Sequence, residues 1–133
     1  MNPRYPAVAD RAGHRCEYCH APEAVFNFRF EVEHIRPQAE AGTGDEGNLA
    51  LACRSCNLYK SAHTSGFDEV TQSTVRLFNP RLDAWGGHFE VAVETGVMRG
   101  LTEVGRATVS RLRMNREAQL RARLQWARLG LFP

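Results

Sequence analysis

The four cysteines of the 133-residue chain stand in two pairs, Cys16 and Cys19 in the stretch CEYC and Cys53 and Cys56 in CRSC. A C-x-x-C pair can bend around one ion and supply two thiolates. Two such pairs close a tetrahedral shell of four, a common ligand set of structural Zn2+. A redox C-x-x-C asks for a single pair beside a βαβ unit. Two disulfides fit poorly with the start MNPRYPAVADRAGHRC, which has no apolar leader core. The spacing therefore favours structural zinc, which would staple residues near 16–19 to residues 53–56. The loop so closed contains EHIRP, residues 33–37.

Further polar residues cluster on that staple. Glu33 and His34 end a strand-like stretch, Asn48 lies just before the next apolar run, and Asn57 and Lys60 follow the second cysteine pair. Three residues apart on a helix, Asn57 and Lys60 share a face. A carboxylate from Glu33 and an amide oxygen from Asn57 are hard ligands, suited to Mg2+ or a similar ion that keeps several waters. A neutral imidazole beside them can take a proton from water near neutral pH. This is the equipment for metal-assisted hydrolysis of a phosphodiester.

The elements that must position these groups follow from patterning. Residues 5–15 contain few breakers and predict a short helix. Residues 24–35 alternate, with Phe26, Phe28, Phe30 and Val32 on one side, which predicts a strand ended by Pro37. Residues 38–48, rich in glycine and charge, predict a loop. LALAC (49–53) predicts a second strand, and RSCNLYKSA a helix begun by Ser55 or by the zinc turn itself. Further on, residues 77–93 are turn-rich and then strand-like, and Gly96 predicts a hairpin turn. Thr102 and Asn115 read as N-caps of two final helices, the second with Leu120, Leu124, Ala127 and Leu131 facing the core.

Charge is unevenly spread. Residues 1–98 carry 9 Lys and Arg against 13 Asp and Glu, whereas residues 99–133 carry 8 Arg against 2 Glu. Arginine presents a planar fork suited to phosphate, so the tail is a plausible nucleic-acid footprint as well as a plausible solvated face. No run of eighteen apolar residues is present, so no membrane span is expected and a cytoplasmic location is.

The string C-E-Y-C, E-H-I-R-P and N-L-A-L-A-C-R-S-C-N-L-Y-K resembles the HNH endonucleases over residues 16–63. LFNPRLDAWGGHF and GLTEVGRATVSRLRMN are similar to the tail of one group of bacterial members. The resemblance implies an α+β fold: a ββα-metal finger with a four-cysteine zinc site, plus a C-terminal β-hairpin and two helices. It implies one domain, residues 1–133, with a core at about 14–63 and accessory elements at about 77–133. It also implies roles. His34 matches the general base, Glu33 the acidic residue that helps bind a catalytic divalent ion, and Asn48 the residue that ties the loop. Asn57 matches a metal ligand at a place where many members carry histidine, which favours Mg2+ or Mn2+ over softer ions. Lys60 would meet a non-bridging phosphate oxygen, and Arg36 the backbone of a double-stranded DNA. On this reading Glu33→Ala leaves the domain folded, whereas a cysteine substitution melts it.

The alternative is a non-catalytic zinc module that binds nucleic acid or protein. The intact set Glu33, His34, Asn48 and Asn57 favours the enzyme. Partner proteins and self-association are not legible. His14, His20 and His63 read as neighbours of the zinc or as solvent-facing, and His88 as packing. Asn79, Arg81 and Arg106, and the tail arginines 111, 113, 116, 121, 123 and 128, read as surface charge with a few unassigned phosphate contacts among them.

Overall fold

The structure, a computed structural model, describes all residues from Met1 to Pro133. Helix α1 (Tyr5–Arg11) leads into the first cysteine turn, and β1 (Glu31–His34) pairs antiparallel with β2 (Leu49–Ala52). Glu33 lies opposite Ala50, and His34 opposite Leu49. Every residue of β2 is buried, as its unbroken apolar run requires. Helix α2 (Arg54–Lys60) follows directly, and the zinc turn rather than Ser55 begins it: the Cys53 sulfur caps it by accepting from the Cys56 amide.

The strand predicted for 24–35 shrinks to its last third. Residues 23–25 form a single 3-10 turn instead. The Glu23 carboxylate accepts from the Phe30 amide at 2.7 Å and from the Tyr5 hydroxyl at 2.8 Å, and lies 2.7 Å from the His14 ring. Burial alone would raise its pKa, but these donors more than offset that and hold it below the usual carboxylate range. The intervening backbone turns around this carboxylate rather than pairing with a neighbour. Phe26 then packs on Phe30 and on Trp126 from the far end of the chain.

A hairpin that the sequence patterning does not predict comes next, β3 (Ser65–Asp68) with β4 (Ser73–Arg76). Its turn carries no glycine. Asp68 accepts from the Val70 and Thr71 amides and the Thr71 hydroxyl, and Gln72 takes the left-handed position at φ +56°. After α3 (Trp85–His88) come the expected hairpin, β5 (Phe89–Ala92) and β6 (Val97–Gly100), then α4 (Glu103–Arg111) and α5 (Glu117–Arg128). Helix α4 packs against both accessory hairpins. At Gly105 a Cβ would run into the His88 carbonyl, so only glycine permits this approach.

Thr102 caps α4 by accepting from the Gly105 amide at 3.0 Å. Asn115 caps nothing. Its side chain pairs with both backbone groups of Met98 at 2.8 Å, and α5 begins at Arg116 without a side-chain cap. The stripe on α5 also differs from expectation: Leu120, Leu124 and Ala127 are half-buried, Leu131 is exposed, and the buried residue is Arg123. One core cluster of 22 buried residues runs from Tyr5 to Phe132, joining both ends of the chain. No helix is long and apolar enough to cross a membrane.

Candidate active site and metal centre

The four cysteine sulfurs are buried and lie within 4.8 Å of one another, with Cys19 and Cys53 3.7 Å apart. Zinc–thiolate bonds of about 2.3 Å in a tetrahedron put sulfurs about 3.8 Å apart. The grouping of four buried sulfurs around one point thus suits Zn2+. Within each pair an amide points at the first sulfur, Cys19 N to Cys16 at 3.5 Å and Cys56 N to Cys53 at 3.4 Å. The first turn docks on β2 through Glu17, whose amide donates to the Leu51 carbonyl and whose carboxylate accepts from the Leu51 amide, each at 2.8 Å.

Outer contacts account for several residues the sequence left open. His20 stacks on Trp85, ring centroids 3.8 Å apart, and burial lowers its pKa to about 4. His14 pairs with Glu23, which raises its pKa. His88 sits against Phe78 and the Thr102 hydroxyl. Arg81 pairs with Glu17 and Arg106 with Asp68. Arg123 walls a cavity shared with Cys19 and Cys53, and its guanidinium donates to the Gly96 and Met114 carbonyls. Its charge offsets a buried cluster of thiolates, and burial lowers its own pKa.

Beside the zinc finger an open depression of about 320 Å³ is lined by Glu33, His34, Pro37, Gln38, Asn57 and Ser61. The last residue of β1 and the first turns of α2 meet here. The His34 and Asn57 side chains are half-buried, and neither the His34 ring nor the Asn57 amide hydrogen-bonds to the protein; the histidine rings so engaged are those of His14 and His88. Asn48 closes the loop above them. Its Oδ1 accepts from the Arg36 amide at 2.9 Å, and its Nδ2 donates to the Arg36 and Thr43 carbonyls at 2.9 and 2.7 Å. Its backbone carbonyl accepts from Ile35, the residue after His34. Arg36 is exposed.

Lys60 is not at the surface, contrary to the sequence reading. It is 2% exposed, and its Nζ donates to Glu33 Oε2 at 2.9 Å, the His34 carbonyl at 3.1 Å and the Ile35 carbonyl at 3.0 Å. An ammonium has three donors, and all three are spent. The reason is helical phase. Cys56 faces inward to the sulfur cluster, and Lys60 follows one turn later on the same side, while Asn57 turns to the rim. Lys60 cannot also hold a phosphate oxygen; it fixes the backbone at His34 from below.

Glu33 is also more committed than expected. At 5% exposure it accepts from Lys60 and, through Oε1, from the buried Tyr18 hydroxyl. Burial pushes its pKa up, with Lys60 and Tyr18 pulling it partway back. Burial and the Glu33 charge raise that of Tyr18. Each carboxylate oxygen keeps a lone pair beyond its one protein donor, and Glu33 forms part of the depression's floor. With the unengaged amide of Asn57, this donor set suits a hard ion that retains most of its water. Tyr18 sits in CEYC as the residue before a cysteine, and nothing in its sequence context signals that it reaches Glu33.

Comparison with known proteins agrees with this geometry. No curated protein and no solved structure matches the chain. Residues 16–63, which hold both cysteine pairs, β1, β2 and α2, match the family model for the HNH endonuclease. The depression and the four-cysteine cluster therefore both lie within the stretch that matches the HNH endonuclease model.

Proposed function

We propose that the protein is a metal-dependent endonuclease that hydrolyses phosphodiester bonds of double-stranded DNA, with His34 as general base. One observation carries the reading: within an HNH domain, an imidazole and an amide with no protein partner line the same open depression, over a buried carboxylate. The His34 ring takes a proton from a water that attacks phosphorus in line, and the 3′ oxygen departs. The ends left are a 5′-phosphate and a 3′-hydroxyl. Asn57 and Glu33 would hold Mg2+ or Mn2+, which when bound supplies positive charge to the scissile phosphate. Asn48 and Lys60 act by position, fixing the backbone on either side of His34. The finger and the accessory half work as one domain, a reading their shared core supports. Four free cysteines kept reduced for zinc suit a cytoplasmic protein.

The test is nicking of supercoiled plasmid by the zinc-loaded chain with added Mg2+ or Mn2+. His34→Ala is expected to fold as the parent does and to lose about 10²–10⁴ in rate. Unchanged nicking by that variant would refute the role. One observation favours a second reading, a zinc module that binds without cutting: Glu33 is already held by Lys60 and Tyr18. Tight DNA binding with no nicking under either ion would support it.

A further inference from the structure

Next to the depression, and sharing Ser61 with it, runs a second groove of about 530 Å³ walled by Tyr59, His63, Phe67, Arg111 and Arg113. We propose that this groove holds the sugar–phosphate backbone of DNA flanking the scissile bond, an inference that rests on the endonuclease reading. It assigns the substrate a path across the accessory half, leading away from His34 over the end of α2 and the end of α4.

Ion pairing separates these two arginines from three others of the tail and from two upstream of it. Arg76, Arg81, Arg99, Arg106 and Arg121 each pair with a carboxylate. Arg111 makes one bond, to the Ser65 carbonyl at 3.3 Å, and no acidic residue lines the groove. Arg113 lies over the Tyr59 ring at 5.0 Å, and Arg116 over the same ring at 4.7 Å. The ring orients the Arg113 guanidinium without neutralising it, so that fork stays available to phosphate, whereas Arg116, outside the groove, donates to the Ser55 hydroxyl at 2.8 Å. Apolar surface accompanies the charge: Leu58 is 66% exposed and Phe67 45% exposed on the same groove. Cations without counter-ions beside exposed apolar side chains suit the phosphate and sugar of a nucleic-acid strand. The β3–β4 hairpin brings Phe67 to this wall.

Binding of a short labelled duplex by the full zinc-loaded chain, read by fluorescence anisotropy without added divalent ion, is the decisive measurement. The double variant Arg111→Gln/Arg113→Gln is expected to bind about tenfold or more weaker. The slope of log K against log salt should fall by about two, one for each phosphate left without its arginine. Nicking should fall at low DNA and recover at saturating DNA, a KM effect rather than a kcat effect. Arg113→Glu alone is the check against misfolding, because the exposed Arg113 side chain makes no ion pair or hydrogen bond and lies only over the Tyr59 ring face. Arg99→Gln, whose residue is engaged with Glu90 on the other hairpin, should change neither readout. Parent-like binding and salt slope in both groove variants would overturn the path while leaving the nuclease intact. A parent chain that binds DNA but never nicks it would overturn the nuclease reading, and loss of binding in the groove variants would then still support the groove. Tighter binding of an RNA duplex or an acidic peptide through the same arginines would overturn DNA as the occupant.

Discussion

The zinc cluster and the depression beside His34 are built on opposite faces of one short helix and treat polar groups in opposite ways. Inward, α2 presents Cys56 and Lys60, one turn apart and both buried. There each polar atom is satisfied: the sulfurs are grouped around one point, and the three Lys60 donors and both Glu33 oxygens are engaged. Outward, α2 presents Asn57 toward His34 across an open floor, and both side chains lack a protein partner. Groups that hold a fold must be paired, because burying them unpaired costs several kcal/mol. Groups that do chemistry on a substrate must stay free and reachable. On the proposed reading, saturation sorts these residues better than residue type does: the lysine of the motif falls on the structural side, His34 and Asn57 on the free side, and Glu33 between them, held by Lys60 and Tyr18 while it still lines the depression.

The contrast can be broken most severely at the zinc. Cys16→Ser or Cys56→Ser should abolish stoichiometric zinc binding and the cooperative thermal transition, because metal binding and folding of such a small cluster are one equilibrium. A zinc-loaded, cooperatively folding variant would mean the four sulfurs do not act together. Next in size are the buried charges. Lys60→Met and Glu33→Ala should each cost about 3–5 kcal/mol by urea unfolding, since each strands its partner in the core. This replaces the sequence-based expectation that Glu33→Ala is harmless to the fold. Replacing both residues together should cost less than the sum of the two, the signature of a coupled pair. Smallest in stability is Asn57→Ala, expected within about 0.5 kcal/mol of the parent while nicking is abolished. If Asn57→Ala destabilised the protein as much as Lys60→Met, the division between paired and free faces would fail.

Much of the finger was legible because its signals are local. Two C-x-x-C pairs can hardly be satisfied except by a shared ion, and an unbroken LALA between loop and cysteine reads as a buried strand. Thr102 and Gly96 act within three or four residues of themselves, so a cap and a turn could be read directly. Asn115 misled because its amide found the Met98 backbone 17 residues away. The β3–β4 hairpin was not legible because its turn is made by Asp68 and Gln72 instead of glycine, and because its packing partner, α4, lies far downstream.

By itself the sequence determined the grouping of four cysteines suited to zinc, the order of strand, strand and helix, and the placing of His34 and Asn57 in one motif, all set by spacing along the chain. Tertiary structure alone decided which polar residues remain available. Lys60, Glu33 and Tyr18 meet only after β1, α2 and the first cysteine turn have packed, and Arg111 and Arg113 share a groove that no acidic residue lines. Residue type fixes what a group can do. Burial and partners, which depend on contacts distant in sequence, fix whether it is free to do it.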